Sequence, residues 1–240
     1  MPSRILAFSS SRVATGGYLE SAAPIIQNFL GEALLNIAFI PFAGVGISYE
    51  AYTQKVRDGL TALGHNIVTV LPENAKATIA NADVIMVGGG NTFKLLAEIY
   101  KAQVLDVIRD KVTAGTPYIG WSAGSNITGP TIGTTNDMPI VEPKSFNALG
   151  LFPFQLNPHY FNYKIPGHNG ETRDDRLTEF LIENPGLNIA CLPEGTALHF
   201  ENNQLHLIGE CPAMLLEMEP DTGVLIKKEI TVGDDISWLL

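Results

Sequence analysis

Val84-Ile85-Met86-Val87-Gly88-Gly89-Gly90-Asn91-Thr92-Phe93-Lys94-Leu95-Leu96-Ala97-Glu98-Ile99-Tyr100 reads as a strand, a turn and a helix in immediate succession. The four opening residues are apolar without alternation, so both faces of the strand are covered, as in a parallel sheet with helices on each side. Three glycines make the turn, and Thr92 to Tyr100 continues as an amphipathic helix. Working outward, the same unit recurs. Ile5 to Ser9, Asn36 to Pro41, Ile67 to Leu71 and Tyr118 to Trp121 are short apolar runs ending near Gly, Pro or Ser. Tyr49 to Leu63 places Tyr52, Val56, Leu60 and Leu63 on one helical face, with Gly64 expected as its C-cap. Val104 to Thr113 predicts another helix. The β-α-β-α alternation predicts an α/β fold with a doubly wound, mostly parallel sheet flanked by helices.

Beyond Trp121 the pattern changes. Thr128 to Gly150 is rich in Gly, Pro, Thr and Asn, and connections of that length are functional or disordered. Phe154 to Pro158 and Asn188 to Leu192 are strand-like, and Arg173 to Glu183 predicts a helix that stops before Pro185. The last stretch reads as antiparallel hairpins appended to the sheet: Ala197 to Glu201, Gln204 to Ile208, Ala213 to Met218 and Val224 to Ile230, with turns at Asn202-Asn203 and Asp221-Thr222-Gly223. No interdomain linker is evident, so residues 1–240 are expected to form a single domain, which suits their number.

Hydrophobic residues make up 45% of the chain, and the net charge is −10. That charge argues against nucleic acid or an anionic membrane as partner. An acidic ligand would need local cationic groups. The two cysteines, Cys191 and Cys211, are expected to be buried thiols in a reducing compartment, and no Cys/His spacing suggests a metal. The first residues run straight into a strand with no signal-peptide pattern, and no apolar run approaches the roughly 20 residues that cross a bilayer. A cytoplasmic location is expected, as monomer or homodimer, without cofactor.

Gly120-Trp121-Ser122-Ala123-Gly124 matches Gly-x-Ser-x-Gly directly after a predicted strand. In a nucleophile elbow the flanking glycines permit close backbone approach, and the serine stands clear at the C-terminal edge of the sheet. The N–H of Ala123 would then face a developing oxyanion. The Gly88-Gly89-Gly90 turn lies at the same edge, where Gly89 and Gly90 can present further N–H groups. It fails as a nucleotide loop, because the third glycine of Gly-x-Gly-x-x-Gly would fall on Phe93. Asn91 there is either a helix cap or a substrate contact.

Of five histidines, His159 follows the predicted strand Phe154 to Pro158 and so lies at a strand end near the serine edge. His65 falls in a turn, and His199 and His206 lie inside hairpin strands. His168, in a polar loop, could contact substrate. Two carboxylates compete to orient His159. Glu194 directly follows the strand Asn188 to Leu192. Asp137 gives the chain order Ser-Asp-His, or could instead hold a substrate ammonium. Both remain open at this level.

Gly-Gly-Gly-Asn-Thr-Phe (88–93), Gly-Trp-Ser-Ala-Gly (120–124), Thr-Thr-Asn-Asp-Met-Pro-Ile (134–140), Asn-Pro-His (157–159), Gly-Glu-Thr-Arg (170–173) and Leu-Pro-Glu-Gly (192–195) together resemble the motif series of the peptidase E family. The resemblance runs in order from about residue 35 to 196. It implies a fold akin to class I glutamine amidotransferases with serine in place of their cysteine, and metal-free hydrolysis of small peptides, namely dipeptides with an N-terminal aspartate. It also implies Ser122 as nucleophile, His159 as base, and either Asp137 or Glu194 as the acid. One position departs: members can carry an arginine just before Thr134, where this chain has Gly133. Arg173 is then the candidate for a substrate carboxylate, since its guanidinium fork suits that group. The other readings are a hydrolase of β-aspartyl or cyanophycin-like substrates, and a non-catalytic binder of a small acidic metabolite.

Overall fold

The structure is a computed structural model that describes residues 3–163, 167, 169–219 and 222–240. Its strands are β1 (Ile5–Phe8), β2 (Asn36–Ile40), β3 (Asn66–Thr69), β4 (Val84–Val87), β5 (Tyr118–Trp121), β6 (Gln155–Pro158), β7 (Ile189–Leu192), β8 (Thr196–Glu201), β9 (Gln204–Gly209), β10 (Ala213–Met218) and β11 (Leu225–Ile230). The α-helices are α1 (Ala22–Leu30), α2 (Tyr49–Gly59), α3 (Ala75–Ala80), α4 (Thr92–Lys101), α5 (Leu105–Thr113), α6 (Ala123–Asn126) and α7 (Arg173–Glu183).

A seven-stranded sheet runs in the order β3-β2-β4-β5-β1-β8-β9. The five strands from β3 to β1 are parallel, and β8 and β9 join antiparallel. Alternate residues of its strands feed opposite faces. Ile5, Ala7, Ile85 and Val87 pack with α3, α4 and α5, whereas Leu6, Phe8, Val84 and Met86 pack with α1 and α2. Helices on both faces of a parallel core make the sheet doubly wound, as the uninterrupted apolar runs predict.

The finer arrangement differs from a single sheet with hairpins. Strands β6 and β7, parallel to each other, form a second sheet with β10 and β11 in the order β11-β10-β7-β6. One face of it shares the main core through Leu156, Ala190, Leu192 and Leu215, and the other is covered by Leu177 and Leu181 of α7. The last two hairpins therefore part company, β8-β9 extending the first sheet and β10-β11 the second. The Asn202-Asn203 turn has φ of 54° and 60°, the positive pair that a two-residue type I′ hairpin requires and asparagine tolerates.

Two helices lack a clear sequence signal. Helix α1 carries Pro24 at its third position, where the missing N–H has no intrahelical partner to lose, and α3 is only six residues long. The segment expected as one helix from Tyr49 to Leu63 ends at Gly59, and a 3₁₀ turn over Thr61–Leu63 closes on Gly64 at φ 71°. Cys191 is buried on β7, but Cys211, expected to be buried, is partly exposed. No helix among the described residues is long and apolar enough to cross a membrane.

Candidate active site

Ser122 follows β5 and precedes α6 at φ 54°, ψ −115°, a strained conformation for a residue with a side chain. Close backbone packing holds it there. A Cβ on Gly124 would lie 2.2 Å from the Val87 carbonyl oxygen, and one on Gly120 would lie 2.5 Å from the Gly124 oxygen. Only glycine fits at either position. The Ser122 N–H donates to the Phe8 carbonyl at 3.1 Å, which ties the elbow to β1.

His159 comes from the other sheet, directly after β6, and also has a positive φ of 55°. Its imidazole Nε2 is 2.9 Å from Ser122 Oγ, and its Nδ1 is 2.8 Å from Glu194 Oε1. With the proton on Nδ1, the ring donates to Glu194 and accepts from the serine hydroxyl, the relay geometry of a serine nucleophile, base and acid. Glu194 stands just past β7, the parallel neighbour of β6, so adjacent strand ends deliver both groups.

Asp137 is elsewhere. Its Oδ2 accepts from the Thr92 N–H at 2.7 Å, the Thr92 hydroxyl at 2.6 Å and the Thr135 hydroxyl at 3.2 Å, over the N-terminus of α4. A carboxylate is favoured there by the helix dipole. Of the two competing carboxylates, Glu194 is the one at the imidazole. Asn91 serves as the helix cap, and both ends of its amide make hydrogen bonds within the fold. Its oxygen caps α4 at the Lys94 N–H, and its nitrogen donates to the Met138 carbonyl. His168 lies outside the described residues.

Two cavities meet at Ser122 and His159. One, of about 310 Å³, includes Gly89 and Gly90; the other, of about 190 Å³, includes Ala123, Asn126, Asp137 and Arg173. The N–H groups of Gly89, Gly90 and Ala123 have no acceptor among the described residues, so all three remain available at the serine. Gly89 approaches closely: a Cβ there would lie 2.9 Å from the Ser122 Cβ.

Arg173, the first residue of α7, is half-buried and is the sole guanidinium among the described residues lining the smaller cavity. Its Nη1 donates to Asn157 Oδ1 at 3.3 Å, and its guanidinium lies 5.0 Å from the Phe161 ring centroid. Burial, followed by the charge of Arg176, pulls its pKa below the ordinary arginine value. Nothing at position 133 substitutes for it. The Phe180 ring covers Gly133, and a Cβ there would lie 2.6 Å from that ring.

Several supporting residues gave no motif to notice. The Ser9 hydroxyl, at the end of β1, accepts from the His159 N–H at 2.9 Å and donates to the Leu192 carbonyl at 2.7 Å, stitching the two sheets together beside the imidazole. Asn126 Nδ2 donates to the Leu156 carbonyl, tying α6 to β6. Tyr160 Oη donates to buried Asp174 at 2.7 Å, and Asp174 also pairs with Lys227. Burial and that carboxylate push the Tyr160 pKa up, so the phenol stays a donor. Of these, only Ser9 carries a local signal, a hydroxyl that ends an otherwise apolar strand.

Residues 5–208 match the model of Peptidase family S51. The chain is 52% identical over 236 residues to peptidase E of Shewanella denitrificans, covering 98% of each protein. It is 48% identical over 215 residues to peptidase E of Haemophilus influenzae, covering 89% of this chain and 99% of that one. A solved peptidase from an acI-B1 Actinobacterium superposes with a TM-score of 0.66 at 18% identity, covering 98% of this chain and 97% of that chain, a likeness of fold. With its fold, its serine elbow and these full-length relatives, this chain belongs to peptidase family S51.

Proposed function

We propose that this peptidase is a serine dipeptidase that hydrolyses the bond after an N-terminal aspartate, with Ser122 as nucleophile, His159 as base and Glu194 as its orienting acid. The observation that carries the reading is the continuous pair of contacts from Glu194 through His159 to Ser122, at 2.8 and 2.9 Å. Ser122 attacks the aspartyl carbonyl as Nε2 takes its proton. The tetrahedral oxyanion is met by the N–H of Ala123 and an N–H from Gly89 or Gly90. Imidazolium then protonates the leaving amine, and water releases aspartate from the acyl-enzyme by the reverse relay.

The smaller cavity suits the aspartyl residue. Arg173 provides a fork for its side-chain carboxylate. Asp137 has its Oδ1 unengaged among the described residues, and this oxygen is available to the substrate ammonium. An acidic protein recognises an acidic side chain through one local cation, and we place that work in the cytoplasm.

A substrate panel tests the reading. Purified protein is expected to cleave α-aspartyl-leucine in preference to β-aspartyl-leucine and leucyl-leucine, and Ser122→Ala is expected to lose roughly 10⁴-fold or more in kcat with its fold intact. Undiminished turnover in Ser122→Ala would remove the mechanism. Faster cleavage of the β-linked peptide would transfer the assignment to an isoaspartyl hydrolase.

A further inference from the structure

The larger cavity, on the Gly89 side of Ser122, has aromatic and aliphatic walls from Tyr18, Val45, Ile47, Tyr52 and Trp121, and one ammonium group, Lys55. Lys55 Nζ lies 4.3 Å from the Tyr18 ring centroid and is in no ion pair among the described residues. Lys76, Lys94, Lys111 and Lys144 are likewise outside the ion pairs among the described residues, and what sets Lys55 apart is its place on the cavity that Ser122 lines.

Helix α2 explains its place. Tyr52 and Lys55 are three residues apart and share one helical face. The Tyr52 hydroxyl donates to the Gly89 carbonyl at 2.8 Å and lies 3.4 Å from the Tyr18 hydroxyl. The face that braces the glycine turn at the serine therefore also carries Lys55 to the outer wall of the same cavity. On the same Tyr18 ring, the Arg12 guanidinium lies 6.0 Å from the centroid and adds positive charge nearby.

We infer that Lys55 binds the α-carboxylate of the substrate's second residue, making the larger cavity a receptor for the C-terminal end of a dipeptide. The inference rests on the proposed cleavage after an N-terminal aspartate. With the aspartyl residue beside Arg173, the leaving residue must lie on the other side of Ser122. One residue spans roughly 3.8 Å, so a dipeptide ends in a carboxylate within this cavity, whereas a longer peptide presents a neutral amide there. The ammonium forms a charge-assisted hydrogen bond only with the former, and its flexible stem lets it follow the group. Exposed Val45 and Ile47 face the second side chain.

Calorimetric binding of aspartyl-leucine and aspartyl-leucine amide to the Ser122→Ala protein tests this without turnover. The free acid is expected to bind about tenfold more tightly than the amide, the usual scale for a hydrogen bond to a charged group. In Ser122→Ala/Lys55→Met that ratio falls to about one, and Lys55→Arg restores part of it. Lys55 is exposed on its helix, and thermal melting checks that the variants fold. A ratio near one in Ser122→Ala, a ratio retained without Lys55, or no binding of either peptide would overturn the assignment. Wild-type turnover of aspartyl-leucine, measured in parallel, separates the two claims. Turnover without acid preference defeats the Lys55 assignment alone, and acid preference without turnover defeats the cleavage reading alone.

Discussion

Ser122 and His159 meet at 2.9 Å but are held by different means on different sheets. The serine edge of the seven-stranded sheet is fixed by backbone against backbone, with Gly120 and Gly124 leaving no room for a side chain. The histidine end of the four-stranded sheet is fixed by side chains: Ser9 at the His159 N–H, Tyr160 on Asp174, and Glu194 at the imidazole. The two supports have different consequences. Packed backbone is nearly incompressible and fails abruptly when overfilled, whereas a hydrogen-bonded support fails in graded steps. Positive φ at both Ser122 and His159 shows that each support holds a strained residue.

Substitutions on the two sides test this contrast. Among the groups that support the serine and the imidazole, the largest effect is expected from the acid. Glu194→Gln should lower kcat by roughly 10²- to 10³-fold, less than for a buried triad aspartate because the Glu194 side chain is 56% exposed to water. Asp137→Asn should instead raise KM about tenfold, the scale of one charge-assisted contact, with the smaller change in kcat. Steady-state kinetics of both variants decide it, and the opposite pattern would make Asp137 the acid. Next comes Gly124→Ala, which should destabilise the protein by about 3 kcal/mol or prevent folding, because Val87 is backbone in a central strand and cannot yield. A denaturant midpoint equal to wild type would show that the elbow is looser than described. Ser9→Ala should cost about 1 to 2 kcal/mol, lowering the melting temperature by about 2 to 8 °C and kcat several-fold. Wild-type kcat in that variant would mean that the seam hydroxyl does not set the imidazole.

The same contrast explains what could be read from residues alone. Backbone packing leaves a written trace, since only glycine satisfies it, and so the elbow, the Gly88–Gly90 turn and the strand before each stood out. Unbroken apolar runs likewise announced the doubly wound sheet. The side-chain support left little trace, because Ser9, Tyr160 and Asp174 are distant in sequence and ordinary in type. The choice between Glu194 and Asp137 was undecidable for the same reason, as both follow plausible elements and only the pairing of β6 with β7 brings Glu194 to the ring. That pairing also splits the C-terminal hairpins between two sheets, a division set by long-range contacts rather than by local pattern.

The most direct test of the Ser122–His159 pair is labelling with a fluorophosphonate, followed by mass mapping, in wild type and His159→Ala. A single adduct on Ser122 is expected, forming at least about 100-fold more slowly once the imidazole is removed. An adduct on another residue, or an undiminished rate in His159→Ala, would contradict the claim that the two sheets assemble one nucleophile between them.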